Sequence, residues 1–305
     1  MAFSRGNEST EGVQFMRLYG MASVFVKGLN PNKAELEAFY GRDFDNEPVY
    51  TKEVDRNGVM VPQIALDFMV VADPEKHKTK DGNPIDFKSR VTIYLVRNYR
   101  TNKDGDKYLI IDKYGRTAWA TKEEIDNGQV PMYKNGPARI SKDYHVAYEG
   151  EEDLINFLRA YLNITSCEKY VNKEWVMLED SKLPDCESSL EHIEDYFKGD
   201  LRELKEILSY QPNNKVKVCF GIKTVTTGPN AGRQYQTAYT KNFLKNSSTN
   251  YSKLDEEIQA AKARGSFADT EFSVEELHPY EVTASDLSKP EQKEQPQIRS
   301  PWGNK

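Results

Sequence analysis

The chain has 305 residues, 38% of them hydrophobic and 30% charged, with a formal net charge of −6. That balance argues against wholesale disorder and against a membrane-embedded chain, and the longest apolar runs, residues 68–72 and 108–111, fall far short of a bilayer span. Three cysteines, Cys167, Cys186 and Cys219, are an odd number without CxxC spacing, which argues against a disulfide scaffold and a four-cysteine zinc site.

Residues 1–14 read as a polar, flexible arm, with no apolar stretch or cleavage signature in the first eight, so a cytosolic protein is expected. Residues 15–29 carry β-formers at Val24, Phe25 and Val26, as a strand pair or one strand broken at Gly20. Asn30 and Pro31 then suit a helix start, and Gly41 a helix end, around an apolar face of Leu36, Phe39 and Tyr40. Strands are expected at 63–71 and 87–100, then a turn at 103–106 into 107–120, which makes a β-meander. Over 151–162 the period changes: Leu154, Leu158 and Tyr161 fall on one helical face, and three acids occupy the first turn. Residues 187–209 read as one or two acidic amphipathic helices broken at Gly199-Asp200. A hairpin of 215–226 and 233–244 follows, then a helix at 254–263, an acidic segment, and a polar tail after Leu287.

The fold class expected is α+β with a mostly antiparallel β core. Its domains are the arm (1–14), a core (15–250) with helical insertions around 150–209, a helix plus acidic segment (251–287), and a disordered tail (288–305).

The net charge hides a segregation. Residues 211–250 hold six cations and no acid, and residues 88–117 hold eight cations against three acids. By contrast, 149–206 has sixteen acids against seven bases, and 251–294 has eleven against five. Strand alternation turns this into faces. Val216, Val218, Phe220 and Ile222 point one way, while Lys215, Lys217, Cys219 and Lys223 point the other. In the partner strand Arg233, Tyr235, Thr237, Tyr239 and Lys241 share a face, and Val91, Ile93 and Leu95 oppose Lys88, Arg90, Tyr94, Asn98 and Arg100.

Cations that neutralise phosphates, interleaved with tyrosine rings that stack on unpaired bases, suit single-stranded nucleic acid. The candidate stacking residues are Tyr94, Tyr235 and Tyr239. The candidate phosphate contacts are Arg90, Arg100, Lys215, Lys217, Lys223, Arg233 and Lys241. The competing reading is the wet face of an ordinary antiparallel sheet. Against it stands a forty-residue stretch with no acid, because solvated faces intersperse both signs.

Three segments resemble single-stranded DNA-binding proteins of large tailed, crAss-like bacteriophages: Val26-Lys27-Gly28-Leu29-Asn30-Pro31-Asn32-Lys33; Tyr144-His145-Val146-Ala147-Tyr148-Glu149-Gly150-Glu151-Glu152-Asp153-Leu154 through Asn163-Ile164; and Asn214-Lys215-Val216-Lys217-Val218. The likeness covers residues 10–245. It implies an OB-like barrel and cooperative coating of single strands in replication or recombination, in the cytoplasm of a host bacterium. It also implies self-association along the strand and a C-terminal tail contacting replication or recombination proteins, for which Trp302 is the candidate anchor. Two features depart from such proteins. No His and three Cys have zinc-site spacing, and the chain ends Arg299-Ser300-Pro301-Trp302-Gly303-Asn304-Lys305 without an acidic tip.

No P-loop, GxGxxG, GxSxG or HExxH occurs, so the expectation is a non-enzymatic binder with no catalytic residue, no metal and no cofactor. Cys167, Cys186 and His192 lack a fourth zinc ligand. Two alternatives stay open: a virion structural or scaffold component, and a metal-dependent nuclease using Asp112-Lys113 or Glu179-Asp180-Ser181-Lys182.

Overall fold

The computed structural model describes residues 18–79, 81–112, 115–129, 140, 143–163, 168–171, 174–177, 193–210 and 213–279, with backbone alone at 168–171, 174–177, 210 and 279. The first half contains β1 (Leu18–Leu29), α1 (Lys33–Tyr40), β2 (Thr51–Arg56), β3 (Val59–Ala72), β4 (Lys88–Tyr99), β5 (Lys107–Asp112), β6 (Thr117–Thr121), α2 (Lys122–Asp126), β7 (Tyr144–Val146) and β8 (Tyr148–Glu149). There follow α3 (Glu151–Tyr161), β9 (Glu168–Val171), β10 (Glu174–Met177), α4 (Ile193–Phe197), α5 (Arg202–Tyr210), β11 (Lys215–Thr224), β12 (Gln234–Ala238), β13 (Leu244–Lys245), α6 (Ser252–Ala263), β14 (Thr270–Phe272) and β15 (His278–Pro279). The expected arm (1–14), Lys113, Tyr114, Cys167, residues 179–182, Cys186, His192 and the tail with Trp302 lie outside the described residues.

The class is α+β with mostly antiparallel strands. The main sheet runs β12-β11-β1-β3-β4-β8 and curls into a half-barrel whose ends approach each other, β12 coming near β4. β5 lies between β6 and β7 in a small separate sheet, so the expected single strand over 107–120 is two antiparallel strands. The strand before them is one piece: β1 runs on through Gly20, pairing with β15 at Leu18 and Tyr19 and with β11 from Gly20 onward.

Two local details differ from expectation. The helix α1 is capped by Asn32, whose side chain accepts from the Glu35 N–H at 2.9 Å while Glu35 accepts from the Asn32 N–H at 2.7 Å. Asn30 has another use: it adopts a left-handed backbone, φ 46°, and its Oδ1 accepts from the Asp67 N–H at 2.7 Å. The second detail is a hairpin missing from the expected elements. Asn57 and Gly58, with φ 55° and 82°, form the two-residue turn between β2 and β3, and positive φ at both positions matches the twist of the flanking strands.

The concave face is the main core. Val24, Phe68, Val70, Val91, Ile93, Leu95, Val216, Val218 and Phe220 point inward from four strands, as the alternation predicts. Leu154, Phe157, Leu158 and Tyr161 of α3, with Ile193 and Tyr196 of α4 and Leu204 and Leu208 of α5, fill the space they enclose. Phe157 holds the layers together, its ring centroid 4.3 Å from that of Phe68 and 5.2 Å from that of Phe243. Each such fully buried side chain contributes about 1.5–3 kcal/mol by leaving water. Among the described residues no helix is long and apolar enough to cross a membrane.

Candidate nucleic-acid interface

The hairpin expected to bear the site has the register that alternation requires. Lys223 pairs with Tyr235 and Gly221 with Thr237, and the Tyr239 N–H donates to the Cys219 carbonyl at 2.8 Å, so the odd-numbered faces coincide. That face is covered. α6 packs on it, β14 extends the sheet along the edge of β11 and adds Phe272, and Met21, Cys219, Tyr239, Leu254 and Ile258 form a second hydrophobic cluster there.

Tyr239 is 3% exposed, with its ring centroid 5.5 Å from those of both Phe267 and Phe272, and burial lifts its hydroxyl above the usual tyrosine range. It is a core residue, which corrects its reading as a stacking residue. Burial also pushes the Cys219 thiol up to about 12.

Lys215 donates to Asp73 at 2.7 Å and lies over the Phe25 ring. Lys217 donates to the Tyr251 hydroxyl at 2.6 Å and to the Ser248 carbonyl. These two lysines are engaged within the chain, a correction to the expected open basic face. At the far end, Lys223 pairs with Asp269 at 3.2 Å beside half-buried Tyr235, and Arg233 is exposed in the hairpin loop.

The outer face of β3 and β4 is different. Arg90 is bound there to Asp67 at 2.8 Å, and Thr92 donates to the other Asp67 oxygen at 2.9 Å, a paired and largely buried group whose charge faces Asp67. Burial pushes the Asp67 carboxyl upward, opposed by Arg90. Two residues along β4, Tyr94 is 45% exposed. Its cross-strand neighbour is Ala65, whose N–H donates to the Tyr50 carbonyl at 2.7 Å. Tyr50 and Tyr94 therefore flank a small residue on one face, two strand spacings of about 4.8 Å apart. The Tyr50 hydroxyl donates to the Pro31 carbonyl at 2.6 Å, which fixes that ring.

Beyond Tyr94 the surface dips into a cleft of about 300 Å³ at the seam where the curled sheet's ends approach. Gln63, Tyr94 and Val96 line it from the sheet, Glu149 and the first turn of α3 from another side, and Arg56, Arg100 and Lys241 supply cations. Gly150 sets the approach of α3. A Cβ there would lie 1.9 Å from the Tyr94 carbonyl oxygen, and φ is 88°, so only glycine allows the contact.

Two of the cations are neutralised inside the cleft. Arg56 binds Glu149 through Nε at 2.9 Å and Nη2 at 2.8 Å, with Asn98 donating to the same carboxylate. Burial alone would raise Glu149, yet these bonds hold it below its ordinary value. Lys241 binds Asp153 across the seam, and burial lifts the Asp153 carboxyl despite that partner. Arg100 makes no side-chain hydrogen bond or ion pair among the described residues and faces Glu149, Glu152 and Asp153 only at longer range.

The structure thus brings together three of the ten expected binding residues, Tyr94, Arg100 and Lys241, holds Arg90 against Asp67 outside the cleft, and places Lys215, Lys217, Lys223, Arg233, Tyr235 and Tyr239 elsewhere. The sequence reading missed Arg56, Gln63, Tyr148 and Glu152. A signal existed for Arg56, which directly precedes the Asn57-Gly58 turn. Among the described residues no group of three or more His, Cys, Asp and Glu side chains could hold a metal ion. Asp112 of the nuclease alternative is buried and bound to Arg116 at 2.6 Å. Compared with family models, with curated proteins and with solved structures, the chain gives no match.

Proposed function

We propose that the chain binds single-stranded DNA through the outer face of β3 and β4 and the adjoining cleft, an OB-like use of a curled antiparallel sheet. The observation that carries this is the pairing of an exposed ring, Tyr94, with an exposed guanidinium that makes no direct ion pair among the described residues, Arg100, in one cleft. Tyr94 stacks on an unpaired base and Arg100 meets the adjacent phosphate. The acids nearby are in part silenced, since Glu149 and Asp153 already hold Arg56 and Lys241. The stacked pair Tyr99 and Tyr148, with centroids 5.2 Å apart, extends the aromatic surface past the cleft. In this reading the protein coats unpaired strands in phage replication or recombination. Neighbouring copies associate along the strand, and residues 288–305 contact replication or recombination proteins through Trp302. It binds and does not catalyse.

The test is fluorescence anisotropy of a labelled oligonucleotide against the same-length duplex at several salt concentrations. The expected result is selective single-strand binding whose log affinity falls with log salt at a slope of about −0.7 per phosphate neutralised. Absence of binding at low salt overturns the proposal.

One observation favours a second reading, a virion structural or scaffold component. The β2–β3 hairpin carries Val59 and Met60 at 60% and 55% exposed, with Val49 at 73%, apolar surface suited to a protein partner. Co-purification with particles, without oligonucleotide affinity, would select it.

A further inference from the structure

Four groups in the cleft are left over once the fold's own interactions are counted. The Tyr94 ring is exposed, and Arg100 has no direct partner. Gln63 Oε1 is buried without a hydrogen-bond partner. The Glu152 carboxylate, in the first turn of α3, is half-buried and makes no hydrogen bond or ion pair among the described residues. Its neighbours are accounted for, since Glu149 holds Arg56 and Asn98, and Asp153 holds Lys241.

The four divide by chemistry. A ring face takes a flat π-system, and a guanidinium takes an anion. The two others, an amide oxygen and a carboxylate, only accept hydrogen bonds, and a buried acceptor left unmade is costly until a donor reaches it. A ligand that satisfies all four is flat, carries a phosphate, and presents N–H donors on its edge. The cleft volume, about 300 Å³, sits at the small end of ligand sites and suits one base unit with its sugar.

We infer that the cleft holds one nucleobase bearing an exocyclic amino group, in preference to thymine, with Gln63 and Glu152 accepting from its edge. This rests on the single-strand reading above and adds a base preference to it. Carboxylates accept from the cytosine amino group in the same way when bases are read in a groove. Thymine puts its O4 carbonyl oxygen where the amino group would stand, and that acceptor meets the two protein acceptors unfavourably.

The experiment uses the full chain and three labelled oligonucleotides of equal length, about 16 nucleotides, long enough for one binding unit: oligo-dC, oligo-dT and oligo-dU. The expected result is oligo-dC binding at least about five-fold tighter than both others, the low end of one base-edge contact. That ratio should fall toward one in Glu152→Ala and in Gln63→Leu, each checked for an intact fold by circular dichroism. If Gln63→Leu does not fold, Glu152→Ala carries the comparison, because Glu152 is half-buried at a helix start.

Equal affinity for all three oligonucleotides overturns the base preference and leaves the single-strand reading standing. Binding of oligo-dC and oligo-dU alike, both above oligo-dT, reports exclusion of the thymine methyl and also overturns it, as does a dC preference unchanged in both variants. Binding of none removes the single-strand reading itself.

Discussion

Two stretches of the sheet's outer face carry tyrosines among cations, the odd-numbered side of β11 and β12 and the outer side of β3 and β4, and the chain uses them in opposite ways. On the first, α6 and the Phe272 ring lie over the strands, Tyr239 becomes core, and Lys215 and Lys217 find partners inside the molecule. On the second, Tyr94 stays exposed beside a cleft. The difference teaches that alternation along a strand reports which side chains turn away from the main core and is silent on what covers them. A lysine beneath a helix still works, because its stem packs along apolar surface while the ammonium reaches a carbonyl or carboxylate.

The largest test of this contrast is Tyr239→Ala. Emptying a buried aromatic site should cost about 3 kcal/mol of stability in denaturant unfolding, with oligonucleotide affinity of the folded protein unchanged. A variant of full stability and reduced binding would reverse the assignment of the two stretches. Next comes Tyr94→Ala, which should weaken single-strand binding by about 1–3 kcal/mol, the range for loss of a stacked base, while the unfolding midpoint barely moves. Unchanged affinity would take the β3–β4 face out of the site.

The buried start of α3, behind the cleft lining, offers a pH test. Burial alone would lower His145, but the Glu151 carboxylate bonded to it raises it above the ordinary value. A raised folded value means that its stabilisation is complete below the unfolded value of about 6.5 and is lost as pH rises through the folded one. His145→Gln should therefore flatten the loss of stability as pH rises above about 6.5, read as midpoint against pH. His77 opposes it: burial lowers His77, whose Nε2 accepts from the Ser23 N–H at 2.8 Å, so its share fades as pH falls below about 6.5. A variant profile parallel to that of the wild type would show that the His145–Glu151 pair does not set the slope. The smallest effect belongs to Lys223→Ala. Its pair with Asp269 is exposed, so about 0.5 kcal/mol or less of stability is expected to go, and DNA affinity should hold. A several-fold drop in affinity would return the β11–β12 end to the interface.

Much of the inward half of the fold was legible in the sequence. The alternations at Val216, Val218 and Phe220 and at Val91, Ile93 and Leu95, and the helical spacing of Leu154, Leu158 and Tyr161, are local patterns that name their own buried faces. The covering of Tyr239 was not legible, because Leu254, Ile258 and Phe272 meet it from later elements and nothing near Tyr239 announces them. The cleft was legible only in pieces. Its lining comes from β2, β3, β4, the α3 start and the segment after β12, and only closure of the sheet sets Lys241 against Asp153. The capping residue was misread for a similar reason: Asn30 has the right side chain for a cap, but Asp67 on β3 claims it and Asn32 takes the role.

The seam between the two ends of the half-barrel is bridged at the cleft by an ion pair of side chains, Lys241 with Asp153, where a closed barrel would have a ladder of backbone bonds. With Lys241 half exposed, that bridge contributes little beside the backbone ladders joining the other strands, so the seam is where the sheet is held together least by its own backbone.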